Sequence, residues 1–277
     1  MAYSAQINRN DPTCLLFLLD QSGSMEEEMP GGKSKAAFVA DCLNRTLMEV
    51  VGRCSKPEGV RDYFDIGIIG YGADSVRSGF PAGNVGDWLY PVSSWADHPI
   101  RVDTSTEKAA GAGGEIYERK SICPVWVEPV ARGSTPMKAA MERACRLLSD
   151  WCDAHPASYP PTVLHISDGR PTDGDPEPAA DILRQMHTDD GPCVLANLHI
   201  DTGTGAEVTF PAAEAGLPDD HARLLFRMSS PFPAHLLPRA RQHGMGPEEA
   251  SRFFLYKASA DFIVHFLDIG TRPAAVP

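Results

Sequence analysis

The chain has 277 residues, of which 43% are hydrophobic and 22% charged. That composition excludes a largely disordered chain and leaves room for one large domain or two modest ones. Its 25 Lys and Arg against 37 Asp and Glu give a net charge of −12, which argues against non-specific attraction to nucleic acid or anionic membranes.

The first element is legible in Cys14-Leu-Leu-Phe-Leu-Leu-Asp20. A short apolar run that ends in a carboxylate and then turn residues predicts a strand buried on both faces. From Lys33 to Val51 apolar residues recur at helical spacing, with Gly52 as the expected stop. A second buried strand is expected at Phe64 to Tyr71. Asn84 to Arg132 fits no regular pattern: Trp88, Trp95 and Trp126 stand among glycines and prolines, and Gly111 to Gly114 forms a turn, so irregular structure or short antiparallel strands are expected. Helices are predicted over Pro136 to Asp153 and Pro178 to His187, and strands over Val163 to Ser167 and Cys193 to Ile200. Thr202 to Pro247 should wrap the core, with a helix near Asp220 to Phe226, and a last helix is expected over Ala258 to Leu267.

Strands alternating with helices at this rhythm imply an α/β fold, a doubly wound and mainly parallel sheet covered on both faces. No stretch approaches the ~20 uninterrupted apolar residues of a membrane span. Residues Met1 to Pro12 are polar and lack the pattern of a signal peptide, so a cytosolic location is expected. The seven cysteines are odd in number and contain no CxxC pair, which suits reduced, mostly buried thiols.

In an open parallel sheet, ligands bind where loops converge at the carboxyl ends of the strands. Three polar loops fall at such places: Asp20-Gln-Ser22-Gly-Ser24, Gly133-Ser-Thr135-Pro136 and Ser167-Asp168-Gly169. Asp20, Ser22, Ser24, Thr135 and Asp168 offer only oxygen donors, which suit a hard cation such as Mg²⁺ or Mn²⁺. Gly23 and Gly169 are expected to let these loops bend.

Together the three motifs resemble the metal-ion-dependent adhesion site of von Willebrand factor A domains. The surrounding Phe-Leu-Leu-Asp-Gln-Ser-Gly-Ser-Met and Ile-Ser-Asp-Gly-Arg-Pro-Thr-Asp are especially similar to intracellular bacterial members. The resemblance covers about residues 12 to 200. It implies one domain over 1–277, with the insert at about 84–132 and the wrapping segment at about 202–247. It also implies binding rather than catalysis. Ser22 and Ser24 would hold the metal directly, Thr135 directly or through water, and Asp20 and Asp168 mostly through water. Thr135 or Asp168 would take the direct contact according to ligation. A cation held chiefly by neutral hydroxyls keeps an open position for an acidic side chain of a partner protein. Similar intracellular proteins are associated with AAA-type ATPases and with kinase or phosphatase systems.

Blander readings exist for each feature. Asp20 and the serines could form a helix-capping turn, and Thr135 before Pro136 is a good N-cap. Asp173 and Asp175 could supply another cation site but suit solvated turn acids better, Glu26 to Glu28 could repel acidic partners or occupy the metal but suit a solvated cluster, and His165 and His199 suit the core rather than a ligand or base role. No HExxH, GxSxG or GxxxxGK[ST] is present. A Mg²⁺-dependent phosphoesterase is the enzymatic rival, yet no His, Lys or Cys lies within the three motifs to act as base or nucleophile. A module whose metal only pins loops is the structural one. The tryptophans of the insert are candidates for a recognition rim around the metal.

Overall fold

The computed structural model describes residues 3–83, 87–110, 116–203, 206–248, 250–257, 265–266 and 268–269. The opening apolar run forms β1 (Thr13–Asp20), buried along its whole length. After it come α1 (Lys35–Cys54), β2 (Phe64–Gly72), β3 (Ser75–Ser78), β4 (Leu89–Pro91), α2 (Val92–Asp97), β5 (Arg101–Ala110), β6 (Ile116–Val125) and α3 (Met137–Ala154). Then follow β7 (Thr162–Ser167), α4 (Glu177–Gln185), β8 (Val194–His199), β9 (Val208–Thr209), α5 (Asp220–Met228), α6 (Leu237–Gln242) and β10 (Phe254–Tyr256).

Among the described residues, one sheet has the order β9-β10-β8-β7-β1-β2-β3, with β4 also on β2. Strands β10, β8, β7, β1 and β2 run parallel, and β9, β3 and β4 add antiparallel edges. The fold is therefore α/β with a mainly parallel, doubly wound sheet. Alternation along β1 feeds two cores. Leu15, Phe17 and Leu19 join Val39, Leu43 and Leu47 of α1, whereas Cys14, Leu16 and Leu18 join Met141 and Leu148 of α3, Leu183 of α4 and Leu225 of α5. Burying both faces explains why β1 reads as a continuous apolar run rather than an alternating one.

The chain winds from β1 through α1 to β2 on one side, then returns through α3 to β7 on the other side of β1. The gap between the ends of β1 and β7 is thus the point where the winding direction reverses, the usual ligand crevice of such sheets.

Several expectations need correction. Ser34 caps α1 by accepting the Ala37 amide at 3.2 Å, and the helix continues through Gly52 to Cys54. Burial of Val50 and Cys54 outweighs the modest helix penalty of one glycine. Of the two alternatives for segment 84–132, antiparallel strands are what forms: a two-stranded ribbon, β5 with β6, is paired from Arg101↔Val125 to Ala110↔Ile116, preceded by β4 and the unexpected α2. The turn at Gly111 to Gly114 lies outside the described residues. So does most of the helix expected over Ala258 to Leu267, of which Phe266 is described and buried. Strand β10, only three residues long, has too little periodicity to be read from sequence. The helix expected near Asp220 to Phe226 forms as α5, with Asp219 accepting the Ala222 amide at 2.8 Å. All seven cysteines are free thiols. Among the described residues no helix is long and apolar enough to cross a membrane.

Candidate metal centre

The five expected side chains meet at the reversal point. Leu19 of β1 pairs with Ile166 of β7, so the register carries Asp20 alongside Ser167. Ser167 Oγ donates to Asp20 Oδ2 at 2.7 Å, and Asp20 Oδ1 accepts the Ser22 amide at 2.9 Å. That second bond turns the chain into a single 3-10 turn, Gly23–Glu26. Ser22 occupies the cap position of this turn without capping it. Its hydroxyl instead lies 3.1 Å from Ser24 Oγ, and Ser24 Oγ donates to Asp168 Oδ1 at 2.7 Å.

Thr135 arrives from the opposite side. Its amide is held by Thr172 Oγ1 at 3.0 Å, and α3 begins at Met137 without a side-chain cap, so the Thr135 hydroxyl is not used for capping. Backbone bonds tie the loops together: Gly23 N donates to Gly133 O at 3.0 Å, Arg132 N to Gln21 O at 2.8 Å, and Ala73 N to Arg132 O at 2.9 Å. Gly133 has φ +68°, and a Cβ there would fall 2.6 Å from Ala73 Cα. It is this glycine, not Gly23, whose conformation the loop packing demands.

Gly169 matters for space rather than for torsion. A Cβ on it would lie 3.3 Å from Ser24 Oγ, 3.4 Å from Thr135 Oγ1 and 3.6 Å from Asp20 Oδ2. Oxygens from the first two loops therefore meet against Gly169 of the third and bound one small cradle. Asp20, Ser22 and Thr135 are buried, and the Asp168 side chain is fully so. Burial pushes the Asp20 carboxyl above the ordinary carboxylate range; bonds from Ser22 and Ser167 pull it back, and the Asp168 charge adds to the rise. Two buried carboxylates facing neutral hydroxyls form a donor set that a hard cation fits. Among the described residues, no group of three or more His, Cys, Asp or Glu is gathered as a metal cage, so a cation here would rest on hydroxyls.

One residue of this centre escaped the sequence reading. Lys35 Nζ donates to Asp168 Oδ2 at 2.8 Å and to Glu27 Oε2 at 2.6 Å, with a side chain only 4% exposed. Burial disfavours its charge, but the bonds to Asp168 and Glu27 prevail and hold the ammonium above the ordinary lysine range. A signal was present. Lys35 opens α1, whose first turn has no acidic residue, and a cation at a helix N-terminus opposes the helix dipole. Such a lysine calls for a carboxylate partner. Glu27, expected to be solvated, supplies one and also accepts Thr202 Oγ1 at 3.4 Å.

The surrounding candidates separate cleanly. Asp173 accepts the Lys138 and Ala139 amides at 3.1 and 2.8 Å, and Asp175 accepts the Glu177 amide at 3.0 Å. Both hold helix starts, as turn acids do. His165 is a satisfied core residue between Tyr71 Oη at 2.6 Å and Asn197 Oδ1 at 2.7 Å. His199 is buried too, 4.8 Å from the ring of His221, yet its Nδ1 and both His221 ring nitrogens have no hydrogen-bond partner among the described residues. The tryptophans do not form a rim. Trp95 and Trp126 are buried, and half-buried Trp88 lies beneath the Arg143 guanidinium at 4.8 Å.

With this geometry in hand, comparison with solved structures identifies similar folds. The pilus adhesin SpaC from Lactobacillus rhamnosus GG superposes with a TM-score of 0.53 at 12% identity, over 96% of this chain and 31% of that one. The vWF domain of the type V pili tip protein Mfa5 from Porphyromonas gingivalis matches at a TM-score of 0.32 and 13% identity, over 58% of this chain and 39% of that one. The SpaC likeness shows the fold. The Mfa5 superposition is too loose to add to it. This chain thus spans about a third of the adhesin's length. No protein-family model matches the sequence, and no curated protein does.

Proposed function

We propose that this chain is a metal-dependent protein-binding module, an adaptor or scaffold of the von Willebrand factor A type, that presents Mg²⁺ or Mn²⁺ to an acidic side chain of a partner. The observation that carries this reading is the cradle at Gly169, where oxygens of Ser24, Thr135 and Asp20 come within 3.3 to 3.6 Å of one point. Ser22, Ser24 and Thr135 would hold the cation, with Asp20 and Asp168 around it. Bound there, the cation supplies an electrophilic centre for an anionic group. The chain's own part is positional: Ser167 fixes Asp20, Ser24 fixes Asp168, and the Gly23–Gly133 bond keeps two loops in register. The fold likeness to a pilus adhesin is in keeping with binding, and the free thiols with a reducing, cytosolic setting. An acidic partner protein from an ATPase, kinase or phosphatase system remains the proposed class.

The phosphoesterase reading gains a candidate base in Lys35, but its two carboxylate partners keep it charged. Purified protein should therefore show no metal-dependent turnover of phosphate esters; hydrolysis abolished by Asp168→Ala would install the enzyme reading instead. Calorimetric titration with Mg²⁺ should reveal one dominant site that Asp20→Ala removes. An isotherm unchanged in that variant contradicts the assignment.

A further inference from the structure

Asp168 is more completely engaged by the chain itself than a carboxylate kept for a cation needs to be. Ser24 holds Oδ1 at 2.7 Å and Lys35 holds Oδ2 at 2.8 Å. The Lys35 side chain is 4% exposed and that of Asp168 0%, so solvent screens this pair little, whereas Glu27, the second partner of Lys35, is 59% exposed. The Lys35 ammonium is therefore ion-paired inside the wall of the cradle, beside one of its two carboxylates.

We propose, building on the metal reading above, that Lys35 sets the charge balance of the site. By neutralising Asp168 it weakens the resting hold on a divalent cation and leaves that cation under-compensated, which strengthens its pull on an anionic ligand group. Cation and carboxylate ligand then bind cooperatively, because the ligand restores the negative charge that Lys35 withdraws. Glu27 tempers the effect from the solvent side by sharing the ammonium, and its bond to Thr202 links this balance to the segment after β8. The opposite arrangement, a wall of two free carboxylates, would hold the metal tightly and repel an acidic partner.

The test is a Mn²⁺ titration followed by electron paramagnetic resonance, with and without acetate as the carboxylate probe, on the full chain and on Lys35→Gln, Lys35→Arg and Glu27→Gln. Lys35→Gln keeps a hydrogen-bond donor for Asp168 but removes the charge. It should bind Mn²⁺ at least ten-fold more tightly and lose the tightening that acetate gives the unmodified protein. Lys35→Arg, which keeps the charge, should behave as the unmodified protein does. Glu27→Gln should weaken Mn²⁺ binding at least two-fold. A folded Lys35→Gln protein with unchanged or weaker Mn²⁺ affinity overturns the proposal. If that variant does not fold, Glu27→Gln with unchanged or tighter affinity overturns it. Absence of Mn²⁺ binding in the unmodified protein and every variant is a different result, which overturns the metal reading itself.

Discussion

The loop cluster at the ends of β1 and β7 and the ribbon of β5 and β6 are built on opposite terms. In the cluster, mostly buried side chains of two strand-end loops and of α1 are tied to one another, from Ser167 and Asp20 to Ser24, Asp168 and Lys35. Among the described residues, the ribbon is anchored at its base. There Asn44 Oδ1 accepts the Trp126 and Val127 amides at 2.8 and 3.0 Å, and Trp95 donates its indole N–H to Ile66 O at 3.1 Å. Beyond the base, Val102 and Ile122 are exposed by 55 and 67%. The contrast teaches that the tryptophans of the insert serve the core, while the polar residues at the strand ends serve the site.

Breaking the anchor should have the largest effect. Trp126→Ala removes a buried indole and is expected to cost about 3–5 kcal/mol of stability, read as a lower urea midpoint. The folded fraction should keep its Mn²⁺ affinity, since Trp126 lies outside the cluster.

Acid should act next, through the sheet rather than the ribbon. Burial lowers His165 and His199 to about 4 and His221 to about 3. These imidazoles stay neutral in the folded protein but gain protons in the unfolded chain below its pKa of about 6.5. Stability from this source is therefore complete above that pH and lost as pH falls towards 4. Each imidazole should cost about 1.4 kcal/mol by pH 5.5. Urea unfolding at pH 7.5 and 5.5 checks this, and His165→Gln should flatten the slope.

Filling the cradle is a sharper probe of the site. Gly169→Ala should reduce Mn²⁺ affinity at least ten-fold, about 1.4 kcal/mol, with little change in thermal midpoint, because Gly169 has an ordinary φ and only the cradle receives the methyl group. The smallest effect belongs to the outer ribbon. Ile122→Ser should shift stability by less than about 0.5 kcal/mol and leave Mn²⁺ affinity unchanged; a large loss would mean that the ribbon packs on the core.

The parts of the molecule that sequence reveals are those where one physical demand dominates. Strand β1 must be apolar on both faces, so it reads as a run, and its terminal Asp20 stands out against it. The oxygen donors of the centre are likewise readable, because their residue types and order mark loops at strand ends. Lys35 was hidden because its role depends on a carboxylate 133 residues away, although its place at a helix N-terminus was a local anomaly. The ribbon was legible only as one of two alternatives, for a different reason. Val102 pairs with Pro124 and Thr104 with Ile122, and Val102 and Ile122 are exposed, so neither marks a buried face from which a period could be read.

The central claim is that the cradle at Gly169 holds a hard cation, and a crystal grown with Mn²⁺ tests it most directly. An anomalous peak bounded by the hydroxyls of Ser22, Ser24 and Thr135, absent in Asp20→Ala crystals, is the predicted result. Anomalous density elsewhere on the chain, with those hydroxyls bonded only to protein and water, would contradict it.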